Sequence, residues 1–453
     1  LGVLWNLAKI GEQVRGSSRA GAWVAATCGL NIAFTYYSQT TNLDVPYLFW
    51  SVIALRWMVR GFARREPSAL RGAMIFAALA VATKDQAYAL FLLGVPLSVV
   101  SWFVIDQEAR PQAPAVLSHL AVGVAIGLGV LLLVDGAIVN PIGFMQRLRF
   151  LLGTASQDHA YYAATWTGRW HVVRDGLVNY NQFYPWFSAP LVPIGVALAW
   201  RAPDRARRSA GLVPLFAAVS FIVTFDMTAR RSEQRFVLPQ MLMFGIYAGI
   251  ALDALHGWLS ERRTRGLTMT ASAIAAAPLL GFAFFQCAAV DAAMVYDPRY
   301  DAEEWLNSHV SPGDIIEVYD NNVHLARLPR KAVVERVDIT PTKSRNHMPG
   351  VVELDDRFSD VEARRPRWIV VSEFWVFKYL LDTDWFKGSG RVPTPEQVRR
   401  QGEADSRAYF QALSAGRLKY HMAHRSTWTS RVWPREDIHA SLARDVLIYE
   451  RSP

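Results

Sequence analysis

Apolar residues come in long blocks along the first two-thirds of the chain and in short alternating runs along the last third. Crossing the hydrocarbon core of a bilayer takes about 20 mostly apolar residues. Blocks approaching that length predict membrane helices at 20–36, 45–59, 87–104, 114–136, 183–200, 210–227, 236–255 and 268–290, and residues 1–8 read as the tail of another. The block 72–83 (GAMIFAALAVAT) is equally apolar but shorter, and it stops at Lys84-Asp85 before the apolar pattern resumes. Beyond residue 295 the pattern changes. DAEEWLNSHV (301–310) and EQVRRQGEADSRAYFQALSA (396–415) have helical spacing, whereas DIIEVYD (314–320), RKAVVERV (330–337), RWIVVSEF (367–374) and DVLIYE (445–450) have strand character. Strands alternating with helices predict an α/β domain. The expected architecture is a polytopic α-helical membrane domain over 1–295 followed by an α/β domain over 296–453.

Composition agrees with this division. The 453 residues are 52% hydrophobic and 19% charged, against roughly 25% charged in soluble domains. That balance excludes a disordered chain and a disulfide-rich scaffold. The two cysteines, Cys28 and Cys287, both fall in apolar blocks, where a thiol behaves as a small hydrophobe. Neither they nor the histidines show metal-ligand spacing. The formal charge of +9 lies wholly in residues 1–295, with 24 basic and 15 acidic residues, while 296–453 carry 24 of each. A basic nucleic-acid face on the polar third is therefore not expected. If the chain turns at Lys84-Asp85, the loops 9–19, 56–71, 105–113, 201–209 and 256–267 share one side of the membrane. With Asp253 at the edge of the last loop, they hold 16 of the 24 basic residues and 7 acidic ones. Lys and Arg concentrate on the cytoplasmic side of membrane proteins. The turn is therefore expected, and with it an outward location for Lys84, Asp85 and the α/β domain.

Ionisable groups at the outer ends of spans are functional candidates because burying them is costly. Asp44 precedes a span. It can cap the helix, since an acid is favourable at a helix start, or it can face an outward cavity as a base or an acceptor-positioning group. Lys84 and the adjacent Asp85 sit where the short span breaks. The lysine can snorkel or hold a phosphate as a point charge. In TARRSEQRFVLP (228–239), Arg230, Arg231 and Arg235 crowd an outer loop. Guanidinium forks suit phosphate or carboxylate, and Asp226 and Glu233 are at hand to neutralise them. The long aromatic-rich loop 137–182 reads either as helices lying in the interface or as functional, and its SQDHAYY (156–162) offers Asp158, His159 and Tyr161 as supporting groups. Cations beside an acid on the outer face suit a lipid-linked phosphate substrate.

SQTTNLDVPYLFW (38–50), ALAVATKDQAYALFLL (78–93), QRFVLPQMLMFGIYAG (234–249) and DPRYDAEEWLNSHVSPGDIIEVY (297–319) together resemble the GT-C membrane glycosyltransferases. The nearest branch is that of the protein O-mannosyltransferases and aminoarabinose transferases, glycosyltransferase family 39-like. The resemblance implies transfer of a sugar from a polyprenyl-phosphate donor to a lipid, glycan or protein acceptor, by inverting single displacement, at the outer face of a bacterial inner membrane. It implies that Asp44 matches an acid at the start of an early span and acts in catalysis. It implies that Lys84, Arg231 and Arg235 bind the donor phosphate, with Asp85, Asp158, His159, Tyr161 and Glu233 supporting or meeting the acceptor. Members of this class also carry an acidic motif in a first outer loop, which would precede Leu1. The principal catalytic acid is thus expected upstream of this sequence. Metal dependence varies across the class, and no cofactor is indicated here. The alternatives are a transporter or flippase of lipid-linked substrates and a non-catalytic membrane scaffold.

Overall fold

The computed structural model describes residues 1–152, 160–261, 265–319, 322–338, 349–380, 404–435 and 442–453. Asp158 and His159 lie outside the described residues, as do residues 396–403 of the expected second helix. The chain divides into two compact units, Leu1–Cys287 and Ala288–Pro453.

The first unit is helical. It begins with α1 (Gly2–Arg15), α2 (Ser18–Gly29), α3 (Ile32–Ser38), α4 (Asp44–Arg64) and α5 (Ser68–Thr83). After a short turn at Asp85–Ala87 come α6 (Tyr88–Phe91), α7 (Gly94–Ile105), α8 (Ala113–Val134), α9 (Pro141–Leu152) and α10 (Trp166–Val178). α11 (Leu191–Trp200), α12 (Arg205–Ala210), α13 (Val213–Phe221), α14 (Met227–Ala229), α15 (Gln234–Ser260) and α16 (Arg265–Val295) complete the helical run. Five helical stretches among the described residues are long and apolar enough to cross a membrane: 85–105, 107–134, 205–229, 234–260 and 276–309. The pair 166–182 and 186–200, bent by 111°, would make a sixth if it counts as one span.

Several expected spans differ in form, and the block 183–200 is helical only from Leu191 to Trp200, after a tight turn at Trp186–Ser188. The block 20–36 is two helices, because Asn31 leaves the helical path and its buried side chain caps α3 by accepting the Phe34 N–H at 2.8 Å. The block 45–59 forms only part of α4, which runs on through Arg60 to Arg64. At the break after α5, Lys84 is extended (φ −155°, ψ 120°), so one continuous helix over 72–104 does not form.

α15 lies at the centre of the unit, with nearly every residue from Phe236 to Asp253 buried. α2, α11 and α13 pack against it. Gly195 of α11 lets the two helices meet, since a Cβ there would fall 1.9 Å from the Tyr247 carbonyl oxygen. Close backbone approach through small residues is how membrane helices gain contact. Gly195→Val is therefore expected to destabilise the unit by about 1–3 kcal/mol, the usual cost of forcing atoms into a packed interface. The check is the unfolding midpoint in detergent, and an unchanged midpoint would show that the α11–α15 contact does not hold the unit together.

The second unit is α/β. After α17 (Pro298–His309), six strands form one sheet: β1 (Ile315–Val318), β2 (Val333–Asp338), β3 (Val351–Asp355), β4 (Trp368–Ser372), β5 (Tyr420–Ser426) and β6 (Val446–Arg451). Their order is β3-β2-β1-β4-β6-β5, with the first four parallel and β6 and β5 antiparallel. α18 (Val361–Arg364), α19 (Glu373–Leu380) and α20 (Ala404–Ser414) lie in the same unit. One core gathers Tyr319, Phe358, Trp375 and Phe410. A second gathers Leu306, Ile316, Trp368 and Ile448. Both faces of the sheet are covered, which is why β4 reads as an unbroken apolar run.

Candidate active site

Asp44 stands in the first turn of α4 with its side chain wholly buried. α5 packs along α4, and its end delivers Lys84 to Asp44, Nζ to Oδ1 at 2.5 Å. Gln86 Nε2 donates to the same Oδ1 at 3.4 Å and to the Tyr47 hydroxyl at 2.9 Å. Asp44 Oδ2 has no hydrogen-bond partner among the described residues. A buried acceptor without a partner is costly, and Asp44 Oδ2 is one of several such buried atoms among the described residues, Arg231 Nε being another in this site.

The second part of the site is the link between α14 and α15. Arg230 takes a left-handed conformation (φ 55°), which turns the chain sharply. Glu233 then stands at the start of α15, where a carboxylate is favoured by the helix dipole. It holds Arg231 through Oε1 at 2.5 Å and Arg235 through Oε2 at 2.7 Å. Both guanidiniums lie over the ring of Phe236, 4.6 and 4.7 Å from its centre, and Lys84 Nζ lies 6.0 Å from the same ring. Cations within about 6 Å of an aromatic face are attracted to it. Phe236 thus gathers Lys84, Arg231 and Arg235 beside Asp44. Three cations against two carboxylates leave this cluster with one net positive charge.

The long loop braces that link. The Tyr161 N–H donates to the Arg230 carbonyl at 3.0 Å, and Arg230 Nη1 donates to the Tyr162 carbonyl at 2.8 Å. The Tyr162 hydroxyl donates to Asp175 at 2.5 Å and lies 2.9 Å from the Ser232 hydroxyl. The Tyr161 hydroxyl bonds to Glu233, and burial together with that carboxylate holds the phenol above its ordinary range.

Burial would raise the Glu233 carboxyl, but Arg235 and Arg231 outweigh it and hold the group below its ordinary value. A carboxyl depressed by folding stabilises the folded state above its ordinary titration range and loses that contribution as pH falls through the lower folded value. Wild type is therefore expected to exceed Glu233→Gln in thermal stability near neutral pH, with the gap closing in acid. Melting curves of both across that range provide the check, and a gap independent of pH would contradict this role for Glu233.

Of the residues singled out from sequence, Asp44, Lys84, Arg231, Glu233, Arg235 and Tyr161 meet here. Asp85 turns away from this cluster to Arg147, at 2.6 Å. Asp226 does not neutralise the arginines. It is buried at the end of a π-turn (Ile222–Asp226) and accepts from Gln240 at 2.6 Å, so the neutralising acid is Glu233. Sequence reasoning missed Gln86, Tyr47, Phe236 and Tyr162. Gln86 alone had a signal, being a second polar residue past the break at Lys84. Among the described residues no group of three or more His, Cys, Asp or Glu could hold a metal ion.

No family model matches the sequence. No curated protein matches it either. Among solved structures, the chain is similar to ArnT from Cupriavidus metallidurans bound to undecaprenyl phosphate, at 15% identity and a TM-score of 0.41, covering 99% of this chain and 82% of that one. It is also similar to the same protein in the apo state, at 16% identity and a TM-score of 0.42 over the same shares.

Proposed function

We propose that this protein is a membrane glycosyltransferase that moves a sugar from a polyprenyl-phosphate donor to an acceptor at the outer face of the cell membrane, with the α/β unit on that same side. The observation that carries this reading is the convergence of Lys84, Arg231 and Arg235 on Phe236 beside the open oxygen of Asp44. Sugar transfer from a lipid phosphate breaks the bond between the anomeric carbon and the phosphate oxygen. The electron pair leaves with the phosphate, which needs cations placed where that charge develops. The acceptor oxygen or nitrogen forms the new bond and must give up a proton, which Asp44 Oδ2 is placed to take. One displacement by one nucleophile inverts the anomeric configuration. A departing phosphate needs no protonation, and in this reading Lys84, Arg231 and Arg235 meet its charge.

The experiment uses the purified chain in detergent with radiolabelled hexosyl and pentosyl polyprenyl phosphates and a membrane-lipid and glycan extract as acceptor. The expected result is transfer of label with release of polyprenyl phosphate and inverted configuration at the sugar. A flippase or scaffold would leave the sugar–phosphate bond of the donor intact, and that outcome would overturn the reading.

A further inference from the structure

A cavity of about 460 Å³ lies between the end of α5, the ends of α8 and α9, and residues 225–229, with Gln86, which bonds Asp44, in its wall. Ligand cavities generally fall between about 300 and 1,000 Å³. Most of its wall is apolar, including Tyr88, Leu131, Phe144, Leu148 and Phe225. The charged part of the wall is one motif, beside the neutral polar Gln86 and Thr228. Arg147 donates through Nη2 to Asp85 at 2.6 Å and through Nη1 to Asp135 at 2.9 Å. Asp135 is nearly buried, its side chain 9% exposed.

The charges on this motif do not balance. Two carboxylates face one guanidinium, which leaves one net negative charge on the cavity wall, with Asp135 nearly buried and Asp85 and Arg147 about one-third exposed. The cluster around Phe236 has the opposite excess. An anionic head group would therefore meet repulsion at Asp85 and Asp135, and a cationic one would complete the pairing that Arg147 leaves unfinished. The length and apolarity of the rest of the wall call for an alkyl chain.

We propose that this cavity binds a single-chain amphiphile carrying an amine head group. The chain lies along Leu131, Phe144, Leu148 and Phe225, and the ammonium sits at the carboxylate oxygens of Asp85 and Asp135 that Arg147 does not hold. This goes beyond the transfer reaction and does not depend on it, because Lys84, Arg231 and Arg235 do not line the cavity.

The test is calorimetric titration of the full chain in maltoside micelles with dodecylammonium, dodecyl phosphate and dodecanol, each corrected for titration into empty micelles. Dodecylammonium is expected to bind roughly tenfold or more tightly than dodecyl phosphate, the effect of one close charge partly screened. Asp135→Asn keeps a hydrogen-bond acceptor for Arg147 and is expected to abolish that preference. Arg147→Gln is expected to strengthen it. Leu148→Trp, which fills the cavity, is expected to weaken all three ligands, and its melting curve reports whether it folds. Equal binding of the three head groups, tighter binding of the phosphate, or an unchanged preference in Asp135→Asn would overturn the proposal. Absence of sugar transfer by wild type with the amine preference intact would sink the transfer reading alone, so the two sites fail separately.

Discussion

Replacing Lys84 with Ala is expected to lower sugar transfer by about a hundred- to a thousandfold, the scale seen when one preorganised group facing developing negative charge is removed. Lys84 is the shared member of both halves of the site. It bonds the buried carboxylate of Asp44 and faces the same ring as Arg231 and Arg235. Removing it also strands a buried charge, so a loss of activity alone could reflect lost structure. The double variant Asp44→Asn with Lys84→Ala resolves this. It leaves no uncompensated charge and should recover most of the melting temperature while remaining inactive. Recovery of activity together with stability would show that the pair is structural. Replacing Lys84 by Arg is expected to retain binding of the donor phosphate yet lose much of kcat, because the longer planar fork cannot occupy the same point beside Asp44.

The largest effect on stability is expected in the α/β unit, from Arg364→Ala. Glu317 lies on β1 with its side chain wholly buried, and Arg364 holds both of its oxygens, at 2.7 and 2.8 Å. The same guanidinium reaches Asp356 at 2.6 Å. The Tyr319 hydroxyl donates to Glu317 and meets that of Tyr409, which ties the pair into the aromatic core. Removing one partner of a buried ion pair usually costs about 3–5 kcal/mol because the other is left charged in a medium that cannot solvate it. Arg364→Ala should therefore unfold this unit well below the wild-type temperature, and Glu317→Gln in the same background should restore part of the loss. A change of a few tenths of a kcal/mol would mean that water reaches Glu317. Neither variant touches the cation cluster, so transfer by molecules that remain folded should be close to that of wild type.

The helical unit was legible where length and charge both spoke. The break at Lys84 followed from the apolar block stopping short and from the side on which Arg201–Arg208 and Arg262–Arg265 would fall. The interruption at Asn31 was not legible, because one amide within an apolar block reads as tolerated until its cap on Phe34 is seen. The strands β1, β2, β4 and β6 announced themselves through apolar runs. β5 did not: it is an edge strand with an alternating, mostly polar sequence, YHMAHRS, that buries only its ends. β3, the other edge, has three apolar residues of five but buries none of them fully.

In the site, the charged residues were visible because charge at a membrane interface is costly. Their mutual placement was not. Asp44, Lys84 and Arg235 are far apart in sequence, and nothing in their spacing says that one phenylalanine gathers the cations. Phe236 looked like one more apolar residue at the start of a span. The division of labour between acids also needed coordinates. Asp226 and Glu233 both flank the arginines in sequence, Glu233 more closely, and the π-turn buries Asp226 against Gln240 and leaves the pairing to Glu233.

The most direct measurement is the affinity of the full chain for a short polyprenyl phosphate compared with the polyprenol of the same chain length. The two ligands differ only in the group that Lys84, Arg231 and Arg235 are proposed to hold. Wild type is expected to prefer the phosphate by roughly a hundredfold, in keeping with about 1.5–3 kcal/mol for hydrogen bonds to a charged group. The preference should collapse in Lys84→Ala and in Arg235→Ala while polyprenol binding stays the same. Equal affinity for the two ligands in wild type, or a phosphate preference that survives both substitutions, would contradict the assignment of this cluster to a lipid phosphate.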